Sequence, residues 1–244
     1  MQISEAEQAV MESLSKASLF AKLDERELVE LARTVRRSTY NPGEMVVQHM
    51  DEDDDVYVIL NGSLIASIIS PEGREVAFDV MGAGEYFGEI AAIDGGGRSA
   101  SVAALLAAEV GSISGKRFRE LIDSHPKIAS ALVYDLVARI RRLTERNYEN
   151  IALRIKHRVQ LELLRLANRA GVLHDGGILT PAPTHAQIAA QVGANREAVT
   201  REISALAKSG LIKASRQSIT FHDAEALVDE AGSMMEVNVY GDSD

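Results

Sequence analysis

Apolar residues recur at helical spacing through residues 4–37. Val10, Leu14 and Leu19 form a first set, and Leu28, Leu31 and Val35 a second that follows Asp24, a residue suited to an N-cap. From Thr39 the period changes. Short runs at 45–48, 56–60 and 64–70 alternate or run apolar, separated by Asn41-Pro42-Gly43, Asn61-Gly62 and Pro71-Glu72-Gly73. Strand and turn signals at such close spacing predict an antiparallel roll or barrel. After Pro126 the helical period returns: Ile128, Leu132, Leu136, Ile140 and Leu143 step by three and four, with no Gly or Pro until Gly171. A narrow apolar stripe on so long a charged helix calls for a partner helix, the alternative being that it packs on the roll. The stripe gives way at residues 151–156 to Arg154, Lys156 and Arg158, where a hinge is expected.

Beyond the hinge the elements shorten. A helix is predicted over 159–167, then a strand and loop over 171–184 containing Pro181 and Pro183. Thr184 with Gln187 three residues on is a capping-box pattern that opens a helix over 185–192. Gly193 suits the left-handed turn that ends it, and Asn195 caps a second helix to about Lys208. Ala189, Gly193 and Val199 are the small, turning and branched residues that let two helices cross closely. Residues 211–214 and 218–221 read as a hairpin. The acidic end after Asp223 is expected to begin as a short helix and then to lose order.

Composition narrows the chemistry. The 244 residues include no Cys, which excludes disulfides, thiolate-bound zinc, Cys-ligated iron–sulfur clusters and a Cys nucleophile, and suits a reducing cytoplasm. The chain opens with Glu5, Glu7 and Glu12 rather than a basic signal sequence. Its most lipid-like stretch, 100–108, is far shorter than the ~20 apolar residues of a membrane span. A cytoplasmic protein with no membrane partner is expected. The net charge of −10 hides a division: 12 basic against 23 acidic residues over 1–135, 14 against 6 over 136–222, and none against 7 over 223–244. A basic middle between acidic ends is the electrostatic footprint of a nucleic-acid binder, although a basic segment is also what a solvated helix face looks like.

Residues 87–101, FGEIAAIDGGGRSAS, concentrate the candidate chemistry. Glu89 can accept from a diol, Arg98 can grip a phosphate bidentately, and a short helix opening near Gly88 would aim unpaired N–H groups at an anion. Gly95, Gly96 and Gly97 permit a sharp turn or a close backbone approach. The run from Asp51 to Asp55 lacks the Gly and distant Glu of a calcium loop and reads as a solvated hairpin. The six histidines show no H-x-x-x-H spacing, and neither G-x-S-x-G nor GK[ST] occurs, so an enzyme is not expected.

Two motifs carry a resemblance. The FGE…GGGRSA stretch resembles the phosphate-binding cassette of cyclic-nucleotide-binding domains, with Gly43, Gly62, Gly82 and Gly84 where that family's roll turns fall. THAQIAAQVGANREAVTREISALAKSGLI at 184–212 resembles the helix-turn-helix of the cyclic-AMP receptor protein and fumarate-nitrate regulator (CRP/FNR) family, and the resemblance spans roughly 15–222. It implies an α+β architecture: an N-terminal cyclic-nucleotide-binding β-roll over 1–125, a dimerisation helix and hinge over 126–156, a winged helix-turn-helix over 157–226 and an acidic tail over 227–244. It also implies a ligand set of Gly88, Glu89, Ile90, Ala91, Arg98 and Ser99 with Thr144. In it Glu89 takes the ribose 2′-hydroxyl, while Arg98 and Ser99 take the cyclic phosphate. Cyclic AMP is the expected ligand, with cyclic GMP open because a hydroxyl residue follows the arginine; no metal, haem or iron–sulfur cluster is implied. Glu89 and Arg98 lie nine positions apart, as in regulatory subunits of cyclic-AMP-dependent protein kinase, whereas the bacterial receptor usually carries one residue more.

On the DNA side the resemblance implies that Arg196, Glu197 and Arg201 read bases, with Thr184 and Lys213 as further DNA contacts. Arg suits guanine O6 and N7 and Glu the cytosine amine. Ala198 stands where the family has a backbone-contacting Thr. The expected partners are double-stranded DNA with half-sites close to TGTGA, a second copy of the chain, and RNA polymerase. A nucleotide-independent regulator of the same fold remains an alternative; a cyclic-nucleotide scaffold is opposed by the helix-turn-helix.

Overall fold

The computed structural model describes residues 4–71, 75–215 and 217–232, in two compact units, Met1–Arg141 and Arg142–Asp244. In the first unit, α1 (Glu5–Lys16) and α2 (Glu25–Ala32) each open at a capping box, Ser4 with Glu7 and Asp24 with Glu27. Each box satisfies two orphan N–H groups reciprocally. Helical structure stops at Ala32, short of the predicted Arg37. Arg36 and Arg37 instead belong to a strand, where Arg37 forms an ion pair with Glu109, the residue across the ladder from Thr39 two positions on. Val35 keeps its place in the apolar pattern by packing half-buried against the same core.

Eight strands follow: β1 (Arg36–Tyr40), β2 (Met45–Val47), β3 (Val56–Asn61), β4 (Ser63–Ile69), β5 (Glu75–Gly82), β6 (Tyr86–Phe87), β7 (Ser101–Ala104) and β8 (Ala108–Ile113). They form two antiparallel four-stranded sheets, ordered β1-β8-β3-β6 and β2-β7-β4-β5. This is the predicted roll. The period of two along β3 sorts its side chains. Val56, Val58 and Leu60 face a core shared with α1 and α2, while Tyr57 and Ile59 face the interior of the roll with Leu64, Val102 and Val110. The turn between β3 and β4 requires Gly62. Its φ is +84°, and a Cβ there would lie 2.2 Å from the Ala107 carbonyl oxygen. The predicted turn at Pro71-Glu72-Gly73 falls largely on residues outside those described.

Two short helices complete the unit, α3 (Glu89–Asp94) and α4 (Gly115–Ser124), before α5 (Pro126–Ala152) begins. The apolar stripe on α5 divides. Ile128 and Leu132 are buried and Leu136 packs half-buried in the core of the first unit. Ile140 and Leu143, predicted on the same stripe, are 62% and 52% exposed. A second apolar line, Val133, Val137, Ile140, Tyr148 and Ile151, is exposed along the helix.

The second unit takes up the end of α5, then α6 (Ile155–Arg169), β9 (Ile178–Leu179), α7 (His185–Gln191), α8 (Arg196–Lys208), β10 (Ile212–Ala214), β11 (Ile219–Phe221) and α9 (Ala224–Gly232). The helix breaks between α5 and α6, where Arg154 adopts an extended conformation. The strands form one antiparallel sheet ordered β10-β11-β9. Val159, Leu163, Ile188, Val199, Ile203, Phe221 and Leu227 make its core. At ~1.5–3 kcal/mol for each large apolar side chain buried, this cluster is the main stabilising term of the unit. The acidic tail expected to lose order lies beyond Gly232, outside the described residues. Among those described, no helix is long and apolar enough to cross a membrane.

Candidate functional site

The cassette is built as a strand, a left-handed glycine, a short helix and a glycine turn. Gly88 follows β6 with φ +89° and starts α3; a Cβ there would lie 2.6 Å from Arg98 Nη1 and from the Asp55 carbonyl oxygen. Only glycine leaves that space for the guanidinium. Gly95 ends α3 in the same left-handed region, and Asp94 Oδ1 accepts from the Gly96 N–H at 2.8 Å. Arg98 then returns inward. Its side chain is 2% exposed, its Nη1 donates to the Gly88 carbonyl at 3.3 Å, and its Nε is buried without a hydrogen-bond partner. Its guanidinium lies 5.4 Å from the centre of the Tyr57 ring, which is itself stacked on Phe87 at 4.9 Å. Of the other predicted ligand residues, Ala91 is buried, Ile90 and Ser99 are exposed, and Gly88 is half-buried. Thr144 is exposed on α5, on the far side of the division between the two units.

Glu89 is 2% exposed and has a partner that the cassette pattern does not reveal. Arg139 of α5 donates Nη1 to Glu89 Oε1 at 2.8 Å and Nη2 to the Tyr86 carbonyl at 2.7 Å, with its guanidinium 4.8 Å over the Tyr86 ring. One turn earlier on the helix, Asp135 accepts from the Tyr86 hydroxyl at 3.2 Å and from Ser18 Oγ at 2.6 Å. Burial pushes the Glu89 carboxyl above the usual carboxylate range, against the opposing pull of Arg139. Burial likewise raises the Tyr86 hydroxyl well above its ordinary value, helped by Asp135.

The acidic run at 51–55 is not the solvated hairpin its composition suggests. Asp53 forms an ion pair with Arg98, Asp54 with Arg119 at 3.0 Å, and Asp55 with Arg36. The three carboxylates bring one oxygen each within 4.8 Å of one another, a crowding that their three guanidinium partners offset. Burial pushes the Asp53 carboxyl up, but hydrogen bonds from Arg98 and the Asp55 N–H outweigh it and hold its pKa below the usual value. Tyr57 is pushed up to about 12 by burial, then by Asp53. The available signal for Asp53 was the run itself: five acidic residues placed between two strands of a roll whose cassette carries a buried arginine.

In the second unit, Thr184 and Gln187 form the predicted capping box, and Asn195 Oδ1 accepts from the Ala198 N–H at 2.8 Å to start α8. Gly193 turns between α7 and α8 with φ +60°. Ala198, Val199, Ile203 and Leu206 turn into the core. Arg196, Glu197, Thr200, Arg201 and Ser204 stay exposed, within an arc of about 140° at 100° per residue. Arg196, Glu197 and Arg201 thus share one solvent-facing surface in the first two turns, with exposed Lys213 on β10 of the neighbouring hairpin. Ala198 is buried and carries no polar side-chain atom.

The end of α5 is fastened to this unit by a buried ionic cluster that sequence reading missed. Arg165 forks onto Glu149, with Nη1 at 2.9 Å from Oε2, and Arg146 and Arg169 reach Glu162 at 3.4 and 3.6 Å. Arg146 Nη1 also donates to the Gln191 carbonyl at the end of α7, at 3.5 Å. Glu149 and Glu162 are 4% and 1% exposed. Burial pushes Glu162 up, while Glu149 holds Arg165 above its ordinary value against desolvation.

Comparison with known proteins agrees with this geometry. Residues 37–125 match the cyclic nucleotide-binding domain and residues 157–230 the Crp-like helix-turn-helix domain. The chain is 33% identical over 187 residues to the cAMP-activated global transcriptional regulator CRP of Haemophilus influenzae, covering 75% of this chain and 83% of that one. It is 28% identical over 221 residues to the CRP-like cAMP-activated global transcriptional regulator of Mycobacterium tuberculosis, covering 90% and 99%. Among solved structures, the c-di-GMP-responsive regulator CLP of Xanthomonas campestris has the same fold at a TM-score of 0.70 and 21% identity, covering 78% of this chain and 95% of that one. A CRP-family regulator of Thermus thermophilus matches at 0.68 and 23% identity, covering 82% and 98%. With a nucleotide-binding roll followed by a winged helix-turn-helix, and with a relative at this identity and coverage, the chain belongs to the CRP/FNR family of DNA-binding transcription regulators.

Proposed function

We propose that this chain is a cyclic-nucleotide-gated regulator that binds a palindromic operator as a homodimer. The observation that carries the reading is Arg98: a guanidinium almost wholly withdrawn from water, with an unpartnered Nε, in a glycine cassette. Burying a cation is costly unless it is paired; Asp53, itself 45% exposed, matches Nη2, and Nε is left for an incoming anion. The cyclic phosphate is the group this pocket is built to accept, and Glu89 supplies the acceptor for the ribose 2′-hydroxyl. Ile90, Ala91, Gly88 and Ser99 complete the cassette's contacts, and Thr144 serves the base. Cyclic AMP is the first ligand and cyclic GMP the second.

The exposed line Val133, Val137, Ile140, Tyr148 and Ile151 steps by three and four with a single gap, the spacing of a helix–helix seam, and supports pairing with a second copy. Two copies of α8 then lie about 34 Å apart, one turn of DNA, which demands a two-fold operator with half-sites close to TGTGA. Arg196, Glu197 and Arg201 read it, Thr184 and Lys213 hold its backbone, and RNA polymerase is the further partner. Ligand shifts the equilibrium between two arrangements of the domains 1–125 and 157–226 through the helix and hinge at 126–156. One observation favours a second reading. Both cassette charges already have internal partners, Arg98 in Asp53 and Glu89 in Arg139, as a nucleotide-independent regulator requires.

Calorimetric titration with cyclic AMP, cyclic GMP and 5′-AMP, alongside operator binding at fixed salt with and without nucleotide, separates the two. Micromolar binding that Arg98→Ala abolishes, together with a nucleotide-dependent operator affinity, is expected. Operator binding that no nucleotide changes establishes the second reading.

A further inference from the structure

We propose that Asp53 is a specificity-determining residue of the phosphate subsite, holding Arg98 in the ligand-free protein and admitting a singly charged phosphodiester in preference to a doubly charged phosphomonoester. The inference rests on the reading of the cassette as a cyclic-nucleotide site and goes beyond it.

The Asp53 carboxylate is held in place from several sides. One oxygen is ion-paired with Arg98 and accepts from the Tyr57 hydroxyl at 3.3 Å; the other accepts from the Asp55 N–H at 3.1 Å. Tyr57 is fixed by its stack on Phe87. The backbone of the loop is also fastened to the cassette: the Met50 N–H donates to the Arg98 carbonyl and the Arg98 N–H to the Asp51 carbonyl, both at 2.9 Å. Gly97 permits this approach, since a Cβ there would lie 3.0 Å from the Met50 oxygen. The loop therefore cannot leave without disrupting the cassette itself.

The side chain of Asp53 is nonetheless 45% exposed, so it can turn toward water while its backbone stays. A phosphate arriving at Arg98 must displace this carboxylate or share the guanidinium with it. In both cases an anionic oxygen stays close by. Asp54 and Asp55 add little to the field, because Arg119 and Arg36 match them. Asp53 with Arg98 is close to neutral, so a cyclic phosphodiester leaves the subsite with about one excess negative charge. A 5′-monophosphate, whose second proton has pKa about 6, leaves nearly two at neutral pH. Asp53 repels that further unit charge across ~5–6 Å; at an effective dielectric of about 40 this offsets about tenfold of the advantage that Arg98 alone would give the monoester.

The test uses the full chain, titrated calorimetrically at pH 7.5 with cyclic AMP, 5′-AMP and the singly charged open-chain adenosine 5′-(methyl phosphate). Asp53→Asn should bind cyclic AMP at least as tightly as wild type, and its preference for cyclic AMP over 5′-AMP should fall about tenfold. Asp53→Glu should retain the preference, and Asp53→Ser repeats the comparison if the Asn variant does not fold. The affinity for 5′-AMP relative to that for the methyl phosphate should likewise rise about tenfold from wild type to Asp53→Asn. An unchanged ratio of those two in Asp53→Asn, weaker cyclic AMP binding by Asp53→Asn, or an unchanged preference for cyclic AMP over 5′-AMP overturns the role of Asp53 while leaving the cyclic-nucleotide reading standing. If neither wild type nor Asp53→Asn binds any of the three ligands or cyclic GMP, both readings fall. Binding by the Asn variant alone upholds Asp53 as the competitor and removes nucleotide gating from the natural chain.

Discussion

Arg139→Ala should separate folding from ligand capture at the cassette. The guanidinium makes a 2.8 Å contact to a carboxylate that is 2% exposed, a 2.7 Å contact to a backbone carbonyl, and a cation–π contact at 4.8 Å. Breaking a buried ion pair by removing one partner costs about 3–5 kcal/mol. Here the loss is smaller, because Arg139 is itself 26% exposed and the stranded Glu89 can take up a proton; about 2–3 kcal/mol at pH 7.5 is expected. The pH dependence has a definite sign. Burial already raises the folded pKa of Glu89 above its unfolded value, and losing Arg139 raises it further. Between those two values the folded state binds more protons than the unfolded one, so stability falls as pH rises. The deficit of Arg139→Ala should therefore shrink between pH 7.5 and 5.5 in urea unfolding. Adding Glu89→Gln should recover most of the stability at pH 7.5 while weakening nucleotide binding, because the carboxylate acceptor is then lost. A deficit below 0.5 kcal/mol at both pH values, or one that grows as pH falls, refutes the assignment of this pair as a structural contact.

Three further outcomes follow from the second unit and the long helix. Arg165→Ala leaves Glu149, 4% exposed, without its fork and should cost about 3 kcal/mol in urea unfolding, largely recovered by Glu149→Gln; additive losses would show that the two do not act as a pair. Ile140→Asp places a charge in the exposed apolar line and should convert a micromolar dimer to a monomer by sedimentation, with the thermal transition of the first unit unchanged; a persistent dimer would place the contact elsewhere. Arg201→Ala should cost ~1–3 kcal/mol at one base of the operator and relax preference there, whereas Lys213→Ala should weaken all sequences alike and lower the salt slope by about one. Equal losses across single-base operator variants for Arg201→Ala would move that residue to the DNA backbone.

What the sequence reveals here is what is local. The N-cap at Asp24, the capping box at Thr184, the turn at Gly62 and the turn at Gly193 depend on residues within a few positions of one another, and all appear where predicted. The period of α5 gave its existence but not its faces. A three-to-four step fits either of two neighbouring lines on a long helix, and only packing decides that Ile128 and Leu132 go to the roll while Ile140 stays exposed. The partners of the cassette charges were out of reach for a different reason. Asp53 lies 45 residues from Arg98 and Arg139 lies 50 from Glu89, and neither acidic runs nor arginines on a helix announce what they face. Helical reading ran past Ala32 because Val35, just before β1, continues the apolar period and packs half-buried against the same core.

These long-range partners change how ligand binding at the cassette must be counted. In an unpaired site, each contact from ligand to Arg98 or Glu89 would add its full strength. In the proposed reading the phosphate would replace Asp53 on Arg98 and the ribose hydroxyl would share Glu89 with Arg139, so the free energy available would be a difference between two sets of hydrogen bonds. The difference is smaller than either set, and that is what allows it to act as a signal. A ligand shifts an equilibrium only by its differential affinity for the two states. Arg139 belongs to α5, whose later turns are fastened to the DNA-binding unit by Arg146 and Arg165. In the proposed reading, a change in how strongly Glu89 holds Arg139 would act on α5, the helix that continues into the second unit. The Arg139→Ala variant then makes a second statement: operator affinity should cease to respond to nucleotide even at concentrations that fill the pocket. An operator response that survives saturation of Arg139→Ala would mean that the signal leaves the cassette by another route.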